Sequence, residues 1–189
     1  MSLAWLPNAI TLARIALVPP LGWLLAQGHY RAALVLAVVA GLSDALDGLL
    51  ARRFGWRSDL GGLLDPMADK LLLAAGVIGL AWNGHLPPWF VLLVIGRDLV
   101  ILGGALAWRI RVGPLLAAPT ALGKITTFLQ IVLVVAVLLQ LGVGGLPGDW
   151  LDALLWLTAA ATLASGIDYV LRWSRKARRA HASPSEITE

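Results

Sequence analysis

The stretch that decides the fold is SDALDGLLARRFGWRSDLGGLLDPMADK, residues 43–70, in which aspartates interrupt strongly apolar flanks. Four of them form two pairs, Asp44 with Asp47 and Asp65 with Asp69. An ionised carboxylate near the centre of a bilayer costs about 2.5–3.5 kcal/mol on insertion scales. Neighbouring carboxylates also repel each other, so the sequence predicts that something compensates their charge, most simply a pair of divalent cations.

The composition of the whole chain is that of an integral membrane protein. Of its 189 residues 59% are hydrophobic, and the mean hydropathy of +0.80 is too high for a soluble domain of this size. The chain has no cysteine, which excludes disulfides and thiolate metal sites. Its start lacks the pattern of a signal peptide, so the first apolar segment is expected to be retained. We expect a membrane domain over residues 1–175 and a basic, polar cytoplasmic tail over residues 176–189.

The apolar segments predict an all-α fold with six transmembrane helices. A hydrocarbon core about 30 Å thick needs about 20 helical residues to cross. Transmembrane barrels are excluded because their strands alternate in polarity and these segments do not. The predicted spans are residues 8–27, 31–54, 61–82, 87–110, 119–143 and 150–172.

The basic residues predict the orientation of the spans. With the N-terminus inside, the cytoplasmic side receives Arg52, Arg53, Arg57, Arg109, Arg111 and the basic tail, whereas the opposite side receives only Arg31. Both termini are therefore expected in the cytoplasm, with the active site in the cytoplasmic half of the bundle. A bacterial inner membrane is the expected location. Basic runs beside apolar helices indicate lipid headgroups, so no nucleic-acid partner is expected.

The spacing of the four aspartates predicts a metal site. Asp44 and Asp47 are three residues apart and Asp65 and Asp69 four apart, so each pair shares one helical face. In a hairpin that turns within residues 55–60, Asp47 and Asp69 lie about 15–18 Å inward, and the two pairs can converge. Oxygen ligands without Cys or His suit hard cations. We predict two divalent cations, Mg²⁺ or Mn²⁺, with Ca²⁺ as a non-productive occupant.

Small and basic residues between the two pairs predict a diphosphate pocket. Gly48 and Gly61 lack side chains, so a ligand can approach the backbone closely. Arg52 follows Gly48 by one helical turn, and its guanidinium can form two parallel bonds to a diphosphate. The site is therefore suited to a substrate that carries a diphosphate bound to metal ions.

The full pattern from Asp44 to Asp69 reads DxxDGxxAR-x8-GxxxDxxxD and resembles the signature of the CDP-alcohol phosphatidyltransferases. These are integral membrane enzymes of phospholipid synthesis, and every fixed position of their signature is present here with unaltered spacing. The resemblance implies that Asp44, Asp47 and Asp65 bind the two metals. It also implies that Asp69 completes the second metal site and serves as the general base.

The same resemblance implies the substrates and the reaction. A CDP pocket would be lined by Gly48, Ala51, Arg52 and Gly61. An acceptor hydroxyl would attack the lipid-proximal phosphorus of CDP-diacylglycerol and release CMP. The acceptor would be a lipid or a phosphorylated alcohol, and the resemblance further implies a homodimer.

The acceptor is predicted less directly. Basic residues on the fourth and fifth spans are the candidates for binding it, namely Arg97, Arg109, Arg111 and Lys124. Residues 21–48, 96–101 and 123–134 are similar to CMP-forming cardiolipin synthases, whose acceptor is phosphatidylglycerol. The first span and residues 65–70 are also similar to phosphatidylglycerophosphate synthases, which use glycerol 3-phosphate. We favour the cardiolipin synthase and keep the other as the alternative.

Other interpretations of the charged residues remain open. The aspartates could form intramembrane salt bridges with Arg52, Arg53, Lys70 and Arg97, serve an intramembrane prenyltransferase, or line the path of a cation transporter. Arg14, inside the first span, is expected either to reach the headgroups or to help bind substrate. Asp98 follows Arg97 directly and is expected to form an ion pair with it.

Overall fold

The computed structural model describes residues 6–54, 59–111 and 120–182, and within them the side chains of residues 11–43, 67–108, 110 and 120–175. In this part the chain forms seven α-helices and no strand, which confirms the all-α prediction. The helices are α1 (Leu6–Ala16), α2 (Val18–Ala26), α3 (Tyr30–Phe54), α4 (Asp59–Trp82), α5 (Pro88–Arg111), α6 (Ala121–Gly142) and α7 (Gly148–Ala182). The last helix thus continues past residue 175, the predicted end of the membrane domain.

The first predicted span consists of two helices that meet at Leu17. Pro19 and Pro20 have no amide hydrogen, so they cannot donate to the carbonyl groups of Ile15 and Ala16. The helical hydrogen-bond ladder is interrupted there, and a new helix starts at Val18, where prolines are tolerated in the first turn. The prediction of one helix over residues 8–27 is thereby corrected to two. The five other predicted spans correspond to α3 through α7.

Among the described residues, three helices are long enough and apolar enough to cross a membrane. These segments are Pro88–Trp108, Ala121–Gly142 and Gly148–Arg175, with mean hydropathies of 2.1, 2.3 and 1.5. The apolar parts of the earlier helices, Thr11–Ala26 and Tyr30–Ser43, are shorter. Large apolar side chains point outward from the bundle, including Leu92, Leu102 and Ile110 on α5, as a surface in contact with lipid requires.

The apolar core lies in the half of the bundle remote from the aspartate motif. Its fully buried members come from helix ends next to the loops at residues 27–29, 83–87 and 143–147, and include Leu25, Val77, Leu80, Phe90 and Leu138. The half nearer the motif instead buries polar side chains, among them Arg14, Arg97, Thr126 and Ser165. Among the described side chains, apolar packing therefore closes one end of the bundle, and charged and polar groups are buried towards the other.

Helices α2 and α4 approach each other closely at Gly79. A Cβ atom on Gly79 would lie 2.5 Å from Cδ1 and 2.9 Å from Cβ of Leu25, so only glycine fits this position. One turn later, the Asn83 amide nitrogen donates to the carbonyl oxygens of Leu25 and Gly79 at 2.9 Å each. The hydrogen bonds and the close contact together fix α2 against the end of α4.

Hydrogen bonds between helices also join α6 to α7. The Thr126 hydroxyl donates to the carbonyl oxygen of Ala161 at 3.0 Å, and the Gln130 amide donates to the Thr162 hydroxyl at 3.1 Å. Such bonds are a usual means of holding helices together in lipid, where apolar burial alone gives little driving force. These hydrogen bonds set the position of α7, which also packs against α5.

We predict that Gly79→Ala destabilises the protein, because the added methyl group must displace the rigid base of the Leu25 side chain. The expected loss is about 1–3 kcal/mol, the usual cost of overpacking a core. Gly22→Ala on α2 is the matched control, since nothing lies within 4 Å of a Cβ atom at Gly22. The measurement is thermal unfolding in detergent. Equal melting temperatures for the two variants would contradict the proposed fit at Gly79.

Candidate active site

The helices that carry the aspartate motif are held by α1 and α2, which contact both α3 and α4. Asp44 and Asp47 lie on α3, and Asp65 and Asp69 lie on α4, which confirms that each pair lies on one helix. Among the side chains that the structure describes, no group of three His, Cys, Asp or Glu residues is gathered as at a metal site. Of the four aspartates only Asp69 is in that part, so their convergence stays a prediction.

The predicted CDP pocket also lies outside the described side chains. Gly48, Ala51 and Arg52 are on α3, and Gly61 is on α4. They therefore lie on successive helices, while the hairpin that the spacing predicts turns outside the described residues and stays a prediction. Their roles in substrate binding stay predictions.

The carboxylate of Asp69 is held by Arg14 from the neighbouring helix α1. Arg14 Nη1 donates to Asp69 Oδ1 at 2.7 Å. The Arg14 side chain is only 2% exposed, whereas that of Asp69 is 43% exposed. The arginine is therefore a buried support, and the carboxylate remains accessible to a substrate.

Burial explains why these two residues pair. A guanidinium inside an apolar bundle loses its hydration, and a carboxylate partner compensates part of that loss. Arg14 also lies in the last turn of α1, where the helix dipole favours a cation. Of the two roles expected for Arg14, reaching the headgroups is excluded by its burial.

A second charged cluster joins α4, α5 and α7 beside this pair. Asp98 Oδ1 accepts from Arg97 Nη1 at 2.6 Å and lies 3.2 Å from Lys70 Nζ. Arg97 Nη2 donates onward to the Ser165 hydroxyl at 2.8 Å. The expected ion pair of Arg97 with Asp98 is confirmed. Because Lys70 follows Asp69 directly, the cluster lies at the level of the Asp69 carboxylate.

The predicted acceptor-binding residues occupy different environments. Arg97 is 9% exposed and already bound to two partners, whereas Lys124 is exposed in the first turn of α6. These two regions meet at Gly123, where a Cβ atom would lie 3.2 Å from Arg97 Nη2. Arg109 and Arg111 are at the end of α5, outside the described side chains. Arg97 and the start of α6 are thus brought together, while a role for these residues in binding an acceptor stays a prediction.

The sequence model described as CDP-alcohol phosphatidyltransferase matches residues 4–164, most of the chain. The chain belongs to the CDP-alcohol phosphatidyltransferase family. The matched region contains α1 to α6, the first half of α7 and the entire aspartate motif. The family resemblance inferred from the motif is therefore confirmed.

Curated relatives of this chain carry two kinds of name. A rice protein named CDP-diacylglycerol–glycerol-3-phosphate 3-phosphatidyltransferase 1, chloroplastic, is 34% identical over 89% of the chain. A Drosophila melanogaster protein named probable cardiolipin synthase (CMP-forming) is 33% identical over 88% of it. A Bacillus subtilis protein named CDP-diacylglycerol–glycerol-3-phosphate 3-phosphatidyltransferase is 36% identical over 87% of the chain.

The chain spans 56% of the length of the rice and Drosophila relatives and 92% of the Bacillus relative. Matches of similar strength therefore occur to proteins named for different acceptors. Family membership is settled by this similarity, and the acceptor is not.

We predict that the Arg14–Asp69 pair is a stabilising interaction that a double-mutant cycle can measure. Arg14→Gln and Asp69→Asn each break the bond, so the double variant should lose less stability than the sum of the two. The expected coupling is about 0.5–3 kcal/mol. The measurement is thermal unfolding of the four proteins in one detergent. Strictly additive losses would show that the pair contributes nothing.

Proposed function

We propose that this protein transfers a phosphatidyl group from CDP-diacylglycerol to an alcohol acceptor and releases CMP. The observation that carries the proposal is the Asp69 carboxylate, the last position of the family motif, held by buried Arg14 yet 43% exposed. A general base needs this combination of fixed orientation and access to the substrate. Family membership supports the same reaction class and argues against the prenyltransferase and the transporter.

The reaction proceeds by displacement at the lipid-proximal phosphorus of the donor. The acceptor oxygen forms a bond to that phosphorus, and the bond to the bridging oxygen of CMP breaks. CMP leaves with the electron pair of the broken bond. The proton of the acceptor hydroxyl passes to the Asp69 carboxylate.

The chain supplies the donor set expected for two divalent cations. Asp44, Asp47, Asp65 and Asp69 offer only carboxylate oxygens, which fit Mg²⁺ or Mn²⁺, with Ca²⁺ as a non-productive occupant. Bound metals would stabilise the negative charge that develops on the diphosphate. Arg14 on α1 donates a hydrogen bond to Oδ1 of Asp69, and this bond fixes the orientation of the carboxylate.

The donor pocket is proposed around the residues between the two aspartate pairs. Arg52 would bind the diphosphate, and Gly48, Ala51 and Gly61 would allow the CDP group to approach the helices. The active site would lie in the cytoplasmic half of the membrane with both termini on that side. A homodimer in a bacterial inner membrane completes the proposal.

We propose phosphatidylglycerol as the acceptor, which makes cardiolipin the product. The downstream segments on α5 and α6 support this assignment, as does the name of the Drosophila relative. Glycerol 3-phosphate is the second candidate, favoured by the names of the rice and Bacillus relatives. Both acceptors present a glycerol hydroxyl beside a phosphate, so the same base serves either reaction.

CMP release from CDP-diacylglycerol tests both the reaction and the acceptor. Purified protein receives the donor, Mg²⁺ or Mn²⁺, and either phosphatidylglycerol or glycerol 3-phosphate, and the lipid products are identified by mass. We expect CMP and cardiolipin with phosphatidylglycerol. Phosphatidylglycerophosphate from glycerol 3-phosphate alone would keep the reaction and replace the acceptor. No CMP with either acceptor would contradict the proposed function.

We predict that Asp69→Asn lowers turnover by about 10²- to 10⁴-fold, the range by which a general base accelerates its reaction. Binding of the CDP-lipid should largely persist, because the amide keeps the shape of the side chain. Asp152→Asn, near the start of α7 at the end of the bundle remote from the motif, makes the same chemical change away from the site. This control should leave turnover unchanged. Turnover close to wild type in Asp69→Asn would remove Asp69 as the base.

A further inference from the structure

An apolar groove runs between α5 and α7 beside the charged cluster. It has a volume of about 420 Å³, and its walls include Leu92, Val100, Leu163, Ile167 and Val170. Gly96 and Gly166 also line it, so part of its surface is bare helix backbone. Along α7 the lining extends from Thr162 to Leu171, about 14 Å at the helical rise.

Both walls of the groove are formed by helices that can cross a membrane. The segments Pro88–Trp108 and Gly148–Arg175 contain every lining residue. Surroundings made of hydrocarbon favour an acyl chain as the occupant, since a polar ligand would lose its hydration there. The length of the groove along α7 suits an extended chain better than a compact ligand.

Arg97 places a charged residue within the groove, beside Gly166 on the opposite wall. The arginine is 9% exposed, and its Nε atom is buried without a hydrogen-bond partner in the described part of the chain. A buried donor of this kind calls for an acceptor oxygen. The ester and phosphate oxygens of a glycerophospholipid lie next to its acyl chains and supply such acceptors.

The charge of the cluster selects an anionic lipid. Lys70 and Arg97 contribute two positive charges, and Asp98 contributes one negative charge, so these three residues carry one surplus positive charge. A surplus charge is unfavourable at membrane depth and is offset by a single anion. A phospholipid whose one phosphate charge is not balanced by an amine meets this requirement.

We propose that the α5–α7 groove binds an acyl chain of an anionic phospholipid, and that this lipid is the phosphatidylglycerol acceptor. The second part rests on the proposed function. The cluster connects the groove to the catalytic carboxylate, because Arg97 binds Asp98, Asp98 binds Lys70, and Lys70 is next to Asp69. Glycerol 3-phosphate has no acyl chain, so only phosphatidylglycerol could occupy the groove. A requirement for the groove would therefore distinguish the lipid acceptor from the soluble one.

Photolabelling of the full chain in nanodiscs tests the binding step without catalysis. The probe is phosphatidylglycerol with a diazirine on one acyl chain, and the labelled peptides are mapped by mass spectrometry. We expect labels on α5 and α7 at the groove, about tenfold stronger than with phosphatidylcholine that carries the same chain. Equal labelling by both lipids, or displacement of the label by unlabelled CDP-diacylglycerol, would overturn the assignment to an anionic acceptor.

Two matched pairs of variants make the test specific. Gly96→Leu fills the groove from α5, and Gly103→Leu places the same side chain elsewhere on that helix; nothing lies within 4 Å of a Cβ atom at either position. Leu163→Trp narrows the groove from α7, with exposed Leu157→Trp as its control. We expect both groove variants to lose about tenfold in labelling, while the controls do not. Labelling unchanged in the groove variants would overturn the proposal.

Kinetics then distinguish this proposal from the proposed function. In Gly96→Leu the KM for phosphatidylglycerol should rise about tenfold while the KM for CDP-diacylglycerol stays constant. A rise in the donor KM alone would assign the groove to the donor. Absence of CMP release from the wild type, together with groove labelling, would defeat the proposed function and leave lipid binding intact. Disulfide cross-links between two copies of a Leu163→Cys variant would instead make the groove a subunit interface.

Discussion

The contact between buried Arg14 and the half-exposed carboxylate of Asp69 is the interaction on which the arrangement of the candidate active site depends. It fixes α1 against α4 at the position where the motif ends. It also resolves a conflict that the apolar bundle creates, because neither an unpaired guanidinium nor an unpaired carboxylate is tolerated at membrane depth. The break at Leu17 ends α1 within one turn of Arg14, so the arginine lies at a helix terminus as well as beside a carboxylate.

The distribution of apolar and polar burial follows from this constraint. The remote half of the bundle is closed by tightly packed apolar residues and by the close fit of Gly79 against Leu25. The other half contains charges that satisfy one another across helices, first Arg14 with Asp69 and then Lys70, Asp98 and Arg97. One end therefore supplies the rigidity that holds the helices in position, and the polar end is left to bind charged substrates in the proposed reaction.

The two charged clusters divide the proposed chemistry between different helices. Arg14 acts on the carboxylate that would take the proton, whereas Arg97 lies beside the apolar groove where a lipid would bind. Lys70 connects them, since it follows Asp69 on α4 and contacts Asp98 on α5. A donor bound near α3 and α4 and an acceptor bound near α5 and α7 would meet at Asp69, which lies on α4 next to the residue that contacts α5.

The sequence alone determined the family, the helical class and the approximate spans, because these depend on motif spacing and on runs of apolar residues, which are local properties. It also indicated the Arg97–Asp98 pair, whose members are adjacent in the chain. Two features were left to the tertiary structure. The partner of Arg14 is 55 residues away, and choosing Asp69 among several aspartates requires the packing of α1 on α4. The groove lies between α5 and α7, which are separated by α6 in sequence, and neither helix shows it in its own pattern. Contacts between distant segments depend on how helices pack, and packing is a property of the whole bundle.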